Sequence, residues 1–584
     1  MNTGDRVALG ALQNELLQFV HDEQSAQRNA LRRLWARPLE ERIEEGRTLA
    51  GLRVIEVRPG DTLVLACAGN DSRFREGDIV CISKGDPENA VAEAIFVAGH
   101  DDRVELRLWG SGKTGHFPLQ SEGWQLDESA VDLEKRFLSA LEDLGKTQIG
   151  RDCILPLLSG SRKPALDAEA FEQGLAGASK SGFDDLQAEA MASAVATDLC
   201  WLIHGPPGTG KTRVLAWIAA DLVAKGERVF VTGFTHRSIN NLLEAIAERL
   251  EDSRCIAKIT PFLDPAFSLP QFEGFSETPF AKSGSGYVVG GTPFALRSRR
   301  LGGVDFDTVI MDEASQITLP LAIMAMLAGK RYILAGDHQQ LPPVTLTRPS
   351  REAVSLSIFG RLVGRGFDTM LTASRRLNES LCAWPSETFY CSRLVSHPHA
   401  ARRKLTLSER SSEWSKVLDP EFSMVWLAIP HVGDRTVSAE EATVICALLT
   451  DLQACGVAWM NVGVVVPFRR QARMIRRHLG RKIQRAIGPA ELVIDTVERM
   501  QGQEREVVFV SFTTSDGGFA LKMAEFLFQP QRLNVAATRA RTKLILLASP
   551  ELLHLAKTSL GEELSSAFVS LLERAHRIDV SLPR

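Results

Sequence analysis

A glycine-rich run, Gly205-Pro206-Pro207-Gly208-Thr209-Gly210-Lys211-Thr212, follows the apolar segment LCWLIH and leads into the helical pattern TRVLAWIAADL. Glycines let backbone N–H groups close on phosphate oxygens, the lysine reaches the β and γ oxygens, and the hydroxyl suits Mg²⁺. Strand, loop and helix in this order predict a nucleoside-triphosphate site. Further along, Asp312-Glu313 closes the apolar strand of FDTVIMDEASQ. Asp312 would hold Mg²⁺ through water, and Glu313 would polarise the water that attacks the γ-phosphate. Gly336-Asp337-His338-Gln339-Gln340-Leu341-Pro342-Pro343 follows YILA, which predicts Gln340 near the γ-phosphate. Alone, the second and third segments would read as a solvated strand end and a surface loop. Beside the first they read as one hydrolytic set.

In this order GPPGTGKT, DEASQ and GDHQQLPP resemble motifs I, II and III of superfamily 1 helicases. The likeness is to the 5′-to-3′ branch that contains the nonsense-mediated-decay and immunoglobulin-mu-binding helicases. It continues in SRRLNESLCAWPSETFY (374–390), VVVPFRRQ (464–471), IDTVERMQGQE (494–504) and RLNVAATRAR (532–541), so it spans about 180–550. The resemblance implies that Gln187 reads adenine, that Arg376 and Arg539 reach the γ-phosphate from a second domain, and that Glu504 faces the nucleotide across a cleft. A guanidinium stabilises charge as the phosphoryl bond breaks, and placing it on another domain makes closure depend on ATP. The resemblance also implies a single-stranded DNA or RNA track over Thr235, His236, Thr292, Pro467, Phe468 and Thr496, and 5′-to-3′ movement by a monomeric motor. One departure stands out. Where the family carries Gln-Tyr before its first arginine, this chain carries Ser374-Arg375. Arg375 is expected to stack on the base in place of the tyrosine, giving a preference for ATP with tolerance of other triphosphates.

These residues need elements to hold them. From about residue 180, apolar runs alternate with amphipathic helical patterns, such as RVFVTGF then NNLLEAIAERL. Alternation of this kind predicts an α/β fold, here two RecA-like parallel-sheet domains over 151–372 and 373–584. Residues 1–150 predict a helical stalk carrying a small β-barrel: helix over 5–47 with a break at Pro38, five short strands between Leu52 and Trp109, then helix over 127–147. Residues 260–286 are weakly patterned and predict an insertion or long loop. Ser438-x-x-Glu441 predicts a capping box. Residues 469–485 (RRQARMIRRHLGRKIQR) carry no acid; their apolar positions recur at helical spacing, leaving a basic face that is either solvated or a phosphate track.

The totals limit the alternatives. The 584 residues carry 68 basic and 72 acidic side chains, a net charge of −4, with 44% apolar residues. That is an ordinary globular balance, and it does not advertise nucleic-acid binding. Nine scattered cysteines with no CxxC pair predict reduced thiols in a cytoplasmic protein and give no cluster for zinc or iron–sulfur. The N-terminus is charged early and lacks a signal-peptide core, and the apolar stretch Leu319–Gly329 is about half the length of a membrane span. Two rival functions stay open: a nucleic-acid-gated ATPase switch that remodels a complex without unwinding, and a nuclease–helicase. For the second, no Asp…Glu-x-Lys set in a βαβ context precedes residue 180. DNA and RNA are not separable, because contacts to the backbone leave few residue-type clues.

Overall fold

The computed structural model describes residues 3–580 apart from 71, 73, 75, 76, 101, 110–113, 131, 180, 251, 262, 265, 266, 285, 348–356, 409–413 and 487–490. The chain forms two compact units: Arg6–Leu141 with Thr345–Val354, and Met1–Asp5, Glu142–Val344 and Ser355–Arg584.

In the smaller unit, helix α1 (Thr3–Trp35) is followed by a short helix at Leu39–Glu44 that starts after Pro38. Strands β1 (Thr48–Arg58), β2 (Thr62–Ala66), β3 (Ile79–Ser83), β4 (Ala92–Gly99), β5 (Arg103–Trp109) and β6 (Trp124–Glu128) close into a barrel in the order β1-β2-β5-β4-β3-β6. Alternate residues such as Leu52 and Val54, Leu63 and Leu65, and Val104 and Leu106 fill its core, as period-two side-chain alternation requires. The sequence predicted five strands, with helix from residue 127. The structure has a sixth strand there, and helix begins only at Glu134. In β6 the polar face is also buried: Asp127 pairs with Arg42 and accepts hydrogen bonds from Thr48 Oγ1 and Gln125 Nε2, both at 2.6 Å. An acid satisfied inside looks in sequence like a solvated position, so the alternation was hidden.

The larger unit holds two parallel sheets. The first contains β7 (Cys200–His204), β8 (Arg228–Gly233), β9 (Ile256–Ile259), β10 (Gln271–Phe272), β11 (Tyr287–Gly290), β12 (Thr308–Asp312), β13 (Arg331–Gly336) and β14 (Asp368–Met370). Their order is β10-β9-β11-β8-β12-β13-β7-β14. After a two-stranded piece, β15 (Ala373–Ser374) with β16 (Val395–Ser396), the second sheet runs β19-β18-β20-β21-β17-β22. Its strands are β17 (Met424–Ala428), β18 (Val462–Val466), β19 (Val493–Thr496), β20 (Arg505–Ser511), β21 (Ala540–Ala548) and β22 (His576–Asp579). Strands β7, β12, β17 and β18 are buried throughout, as parallel strands covered on both faces must be. These are two RecA-like domains, with the barrel as an accessory.

The stretch 260–286 is better anchored than its pattern suggested. It supplies edge strand β10, and Phe280 stacks on Tyr287 with ring centres 4.8 Å apart. Helix Ala439–Ala454 starts at Ser438, whose Oγ accepts the Glu441 N–H at 3.3 Å. The capping box is only half formed, because the Glu441 carboxylate turns inward to His431 and Ser511. Among the described residues no helix is long and apolar enough to cross a membrane.

Candidate active site

The order of the first sheet builds the site. Strand β13 lies between β7 and β12, so the loops leaving all three open side by side at their C-terminal ends, where parallel sheets bind ligands. Gly336 pairs with His204 in register, and Asp312 pairs with Gly233 on the far side of β12. Three sequence segments far apart in the chain thus become one surface.

After β7 the loop turns through Gly208 and Gly210, both with positive φ (75° and 87°), and ends in the helix Lys211–Ala224. At its glycines the loop has no free room for a side chain. A Cβ on Gly205 would come 2.1 Å from Lys211 Cγ, and one on Gly208 would come 2.4 Å from Arg376 Cβ. Thr209 Oγ1 donates to the Pro206 carbonyl at 2.8 Å, and Lys211 Nζ donates to the Gly205 carbonyl at 2.5 Å. The Thr212 hydroxyl meets the buried Asp312 carboxylate, whose pKa burial and then Glu313 push up while Lys211 opposes. That hydroxyl and carboxylate are the donor set Mg²⁺ takes beside a triphosphate, so the residues fit the ion. Glu313 follows in the left-handed region, φ 52° and ψ 38°, its N–H donating to Asp312 at 2.9 Å. A non-glycine residue held there is strained.

Gln340 is buried and bridges two domains. Its Nε2 donates to Asp337 at 2.6 Å, and its Oε1 accepts from an Arg539 guanidinium nitrogen at 3.2 Å. Arg539 is buried, tied also to the Val535 and Gln503 carbonyls. Burial and then Arg376 work against its charge, while Glu313, Tyr390 and Glu504 support it. Arg376 Nε donates to Glu504 at 2.6 Å and its Nη1 to the Thr538 carbonyl at 3.1 Å. The carboxyl of Glu504 is pushed up by burial but held below its ordinary range by Arg376, with Arg541 and Arg539 beyond. Lys211, Thr212, Asp312, Glu313, Gln340, Arg376, Arg539 and Glu504 therefore share one cleft.

Asp337 had no role in the sequence reading, yet it is the hub. Fully buried, it accepts from His204 Nε2 (3.2 Å), the Gln339 N–H (3.1 Å), Gln340 Nε2 and the Tyr390 hydroxyl (both 2.6 Å). Against burial, His204, Lys211 and Tyr390 hold its carboxyl well below the usual range. Four donors fill both oxygens. The nearby His204, Asp337 and His338 thus look like metal ligands in composition only, since the acid has no lone pair left for a cation. Tyr390 comes from the second domain, and Asn534 Nδ2 donates to its oxygen at 2.9 Å and to the Gln339 carbonyl at 2.8 Å. Leu341, just after Gln340, is buried in the second domain's core. One signal was available: the chain has three tyrosines, and a phenol that is buried must find a polar partner.

Other predicted residues are placed less simply. Gln187 is buried beside the loop, but its Oε1 accepts the Asp184 N–H at 3.3 Å and its Nε2 donates to the Thr209 carbonyl at 2.9 Å. Its amide is engaged in a capping box and the loop, leaving one N–H and one lone pair for a base. Thr235 is exposed, its Oγ1 capping Ser238 at 3.1 Å; His236 is exposed and Thr292 half-buried, at the ends of β8 and β11. Pro467 and Phe468 leave β18; Phe468 is half-buried, stacked on Phe526 at 5.6 Å. Thr496 is buried, 7% exposed, and its hydroxyl donates to Glu498. Thr496 and Phe468 thus offer less free polar or aromatic surface than a track needs. In the basic run, Ala472, Ile475 and Leu479 are buried and Arg470, Arg476, Arg477 and His478 exposed, up to a break at Gly480; the side chains of Arg481, Lys482 and Arg485 lie outside the described residues.

Two family models, each described as an AAA domain, match residues 182–261 with 287–348, and 354–551. The first skips most of the stretch set apart above as an insertion. The mouse (Mus musculus) DNA replication ATP-dependent helicase/nuclease DNA2 is 29% identical over 549 residues, 86% of this chain and 48% of that protein. The Schizosaccharomyces pombe DNA polymerase alpha-associated DNA helicase A is 27% identical over 423 residues, 61% of this chain and 62% of that one. The chain spans about half or less of the helicase/nucleases it matches. An arterivirus nonstructural protein 10 (helicase) solved with DNA covers 79% of this chain and 73% of its own, at 14% identity and a TM-score of 0.37, a loose likeness.

Proposed function

Because the chain belongs to superfamily 1 of the helicases, in the group of the nonsense-mediated-decay and immunoglobulin-mu-binding helicases, we propose that it is an ATP-driven translocase and helicase on single-stranded DNA or RNA. The observation that carries this reading is the join between domains. Gln340, beside the hydrolytic residues, is hydrogen-bonded to Arg539 of the second sheet. A triphosphate with Mg²⁺ supplies the anhydride bond and the charge that draws the domains together. In that reading the loop amides and Lys211 hold phosphate, Thr212 and Asp312 hold Mg²⁺, and Glu313 takes the proton of the attacking water. Arg376 and Arg539 stabilise the charge that develops. Arg376 must leave or share Glu504 to do so.

The track is proposed along the exposed strand ends at Thr235, His236 and Thr292 with Pro467 beyond, movement being 5′ to 3′ by a monomeric motor. Reduced cysteines fit a cytoplasmic protein. The test is ATP hydrolysis with matched single-stranded DNA and RNA, Lys211→Ala serving as the blank. Stimulation by either strand is expected, and a wild-type protein indifferent to both would sink the reading. Strand displacement on tailed duplexes separates a helicase from an ATPase switch. Faster unwinding from a 3′ tail would reverse the polarity.

A further inference from the structure

The side of the nucleotide site away from the phosphates is crowded with cations. Ser374 Oγ donates to the Pro207 carbonyl at 2.8 Å, and the Arg375 N–H donates to the Gly208 carbonyl at 2.8 Å, so strand β15 lies on the phosphate loop. Ser374 and Arg376 are the residues against Gly208. Arg375, between them, falls within electrostatic reach of Arg213 and His397 instead, with Asp184 the acid facing both of these among the described residues. Arg213 stands one position after Thr212. Its guanidinium donates to the Ser181 and Gly182 carbonyls and lies 4.9 Å from the Phe183 ring centre. His397 and His399 stack 5.2 Å apart nearby. Burial first, and then Arg375 and Arg249, push the Arg213 guanidinium below its ordinary range, as expected where cations gather without enough acid. Arg375 Nε is buried with no hydrogen-bond partner among the described residues.

Asp184, the acid in this space, also caps the helix that carries Gln187, and the Gln187 amide is engaged with the Asp184 N–H and the Thr209 carbonyl. We infer that Arg375, backed by Arg213, determines base specificity at this site, and that it opens the site to purine and pyrimidine triphosphates alike. The inference rests on the proposed nucleotide site. A guanidinium plane stacks on any base, because every base has a π face. Its N–H groups only donate, and every base offers them acceptors: N7 of adenine, O6 and N7 of guanine, and the carbonyls of pyrimidines, guanine O6 being one more than adenine presents on that edge. Gln187, the residue able to accept from the adenine amine, already spends one lone pair on the Asp184 N–H and one N–H on the Thr209 carbonyl, so only half of its amide edge is left for a base. Discrimination then rests on shape and stacking, which separate substrates far more weakly than a site built to pair a particular hydrogen-bonding group.

The experiment is steady-state hydrolysis of ATP, GTP, CTP and UTP, each with Mg²⁺ and saturating single strand, by wild type, Arg375→Tyr and Arg375→Lys. Wild-type kcat/KM is expected to agree across the four within about tenfold. Arg375→Tyr keeps the stack and removes the donors, so it should raise the ATP:GTP ratio by about tenfold, mostly through KM, since the base lies far from the reacting bond. Arg375→Lys keeps the charge but not the plane, and should raise KM for all four without restoring a preference for ATP. Turnover of ATP alone by wild type would overturn the inference, as would an Arg375→Tyr ratio equal to wild type. Hydrolysis of none of the four, or hydrolysis that survives Lys211→Ala, would instead remove the nucleotide site itself.

Discussion

At Glu313 the backbone and the chemistry pull in different directions. The left-handed conformation costs an ordinary residue about 1–2 kcal/mol, and glycine would avoid that at an entropic cost of about 0.5–1 kcal/mol. Glu313→Gly should therefore unfold in urea at an equal or higher midpoint, by up to about 1 kcal/mol, while hydrolysis falls by about 100-fold or more. A variant that was clearly less stable would mean that the glutamate is not strained. Tyr390 makes the opposite case. Its hydroxyl donates to a buried carboxylate and accepts from Asn534, so Tyr390→Phe removes two bonds and leaves Asp337 one donor short. The expected loss is about 1.5–3 kcal/mol in urea unfolding, the scale of a hydrogen bond to a buried charge. An unchanged midpoint would show that water replaces the phenol. Residues of the phosphate loop were legible in sequence because their chemistry is local. Asp337, Tyr390 and Asn534 were not, because their partners lie on elements far apart in the chain and only folding brings them together.

Whole elements were readable where one face is apolar and obscure where polar groups are buried. The parallel strands around the nucleotide announced themselves as unbroken apolar runs, whereas β6, with Asp127 inside, passed for the start of a helix. The same holds for the loop after β17. There His431 is buried with Nε2 3.1 Å from Glu441 and Nδ1 2.8 Å from Asp434, and Glu441 also accepts from Ser511 Oγ and the Thr513 N–H. This cluster ties β17, the helix Ala439–Ala454 and the end of β20 together. Burial lowers the His431 pKa, but Glu441 and then Asp434 raise it further, so the net folded value lies above 6.5. A group raised on folding contributes its full stability below its unfolded pKa and loses it as pH rises through the folded value. The stability gap between wild type and His431→Gln should thus be widest near pH 6 and narrow toward pH 9 in urea titrations. A gap that widened with pH would mean that the histidine is buried neutral.

For the molecule as a whole, charge and sheet direction make a joint statement about grip. In the first sheet the nucleotide residues and the proposed track sit at the same C-terminal edge, on neighbouring strands. In the second sheet they lie at opposite ends: Glu504 and Arg539 precede β20 and β21, while Pro467 follows β18. In the proposed cycle, closure on ATP would act on one end of the second sheet and be read at the other, as a motor that alternates tight and loose hold requires. The proposed track residues Thr235, Thr292 and Pro467 carry no charge, and the net charge of −4 supplies no general attraction. Few phosphates are then neutralised by lysine or arginine, and single-strand affinity should fall with log salt at a shallow slope, about −1 to −3, since each neutralised phosphate contributes about −0.7. Arg470 and Arg477 are exposed cations on the helix that follows Pro467 and Phe468. Replacing both with glutamine should make the slope about 1.4 units shallower and weaken binding, with strand-free ATP hydrolysis unchanged. A wild-type slope steeper than about −5 would require a continuous basic channel that the uncharged strand ends do not supply. A slope untouched by the double substitution would assign that helix face to solvent and leave the strand held by hydroxyls and backbone amides alone.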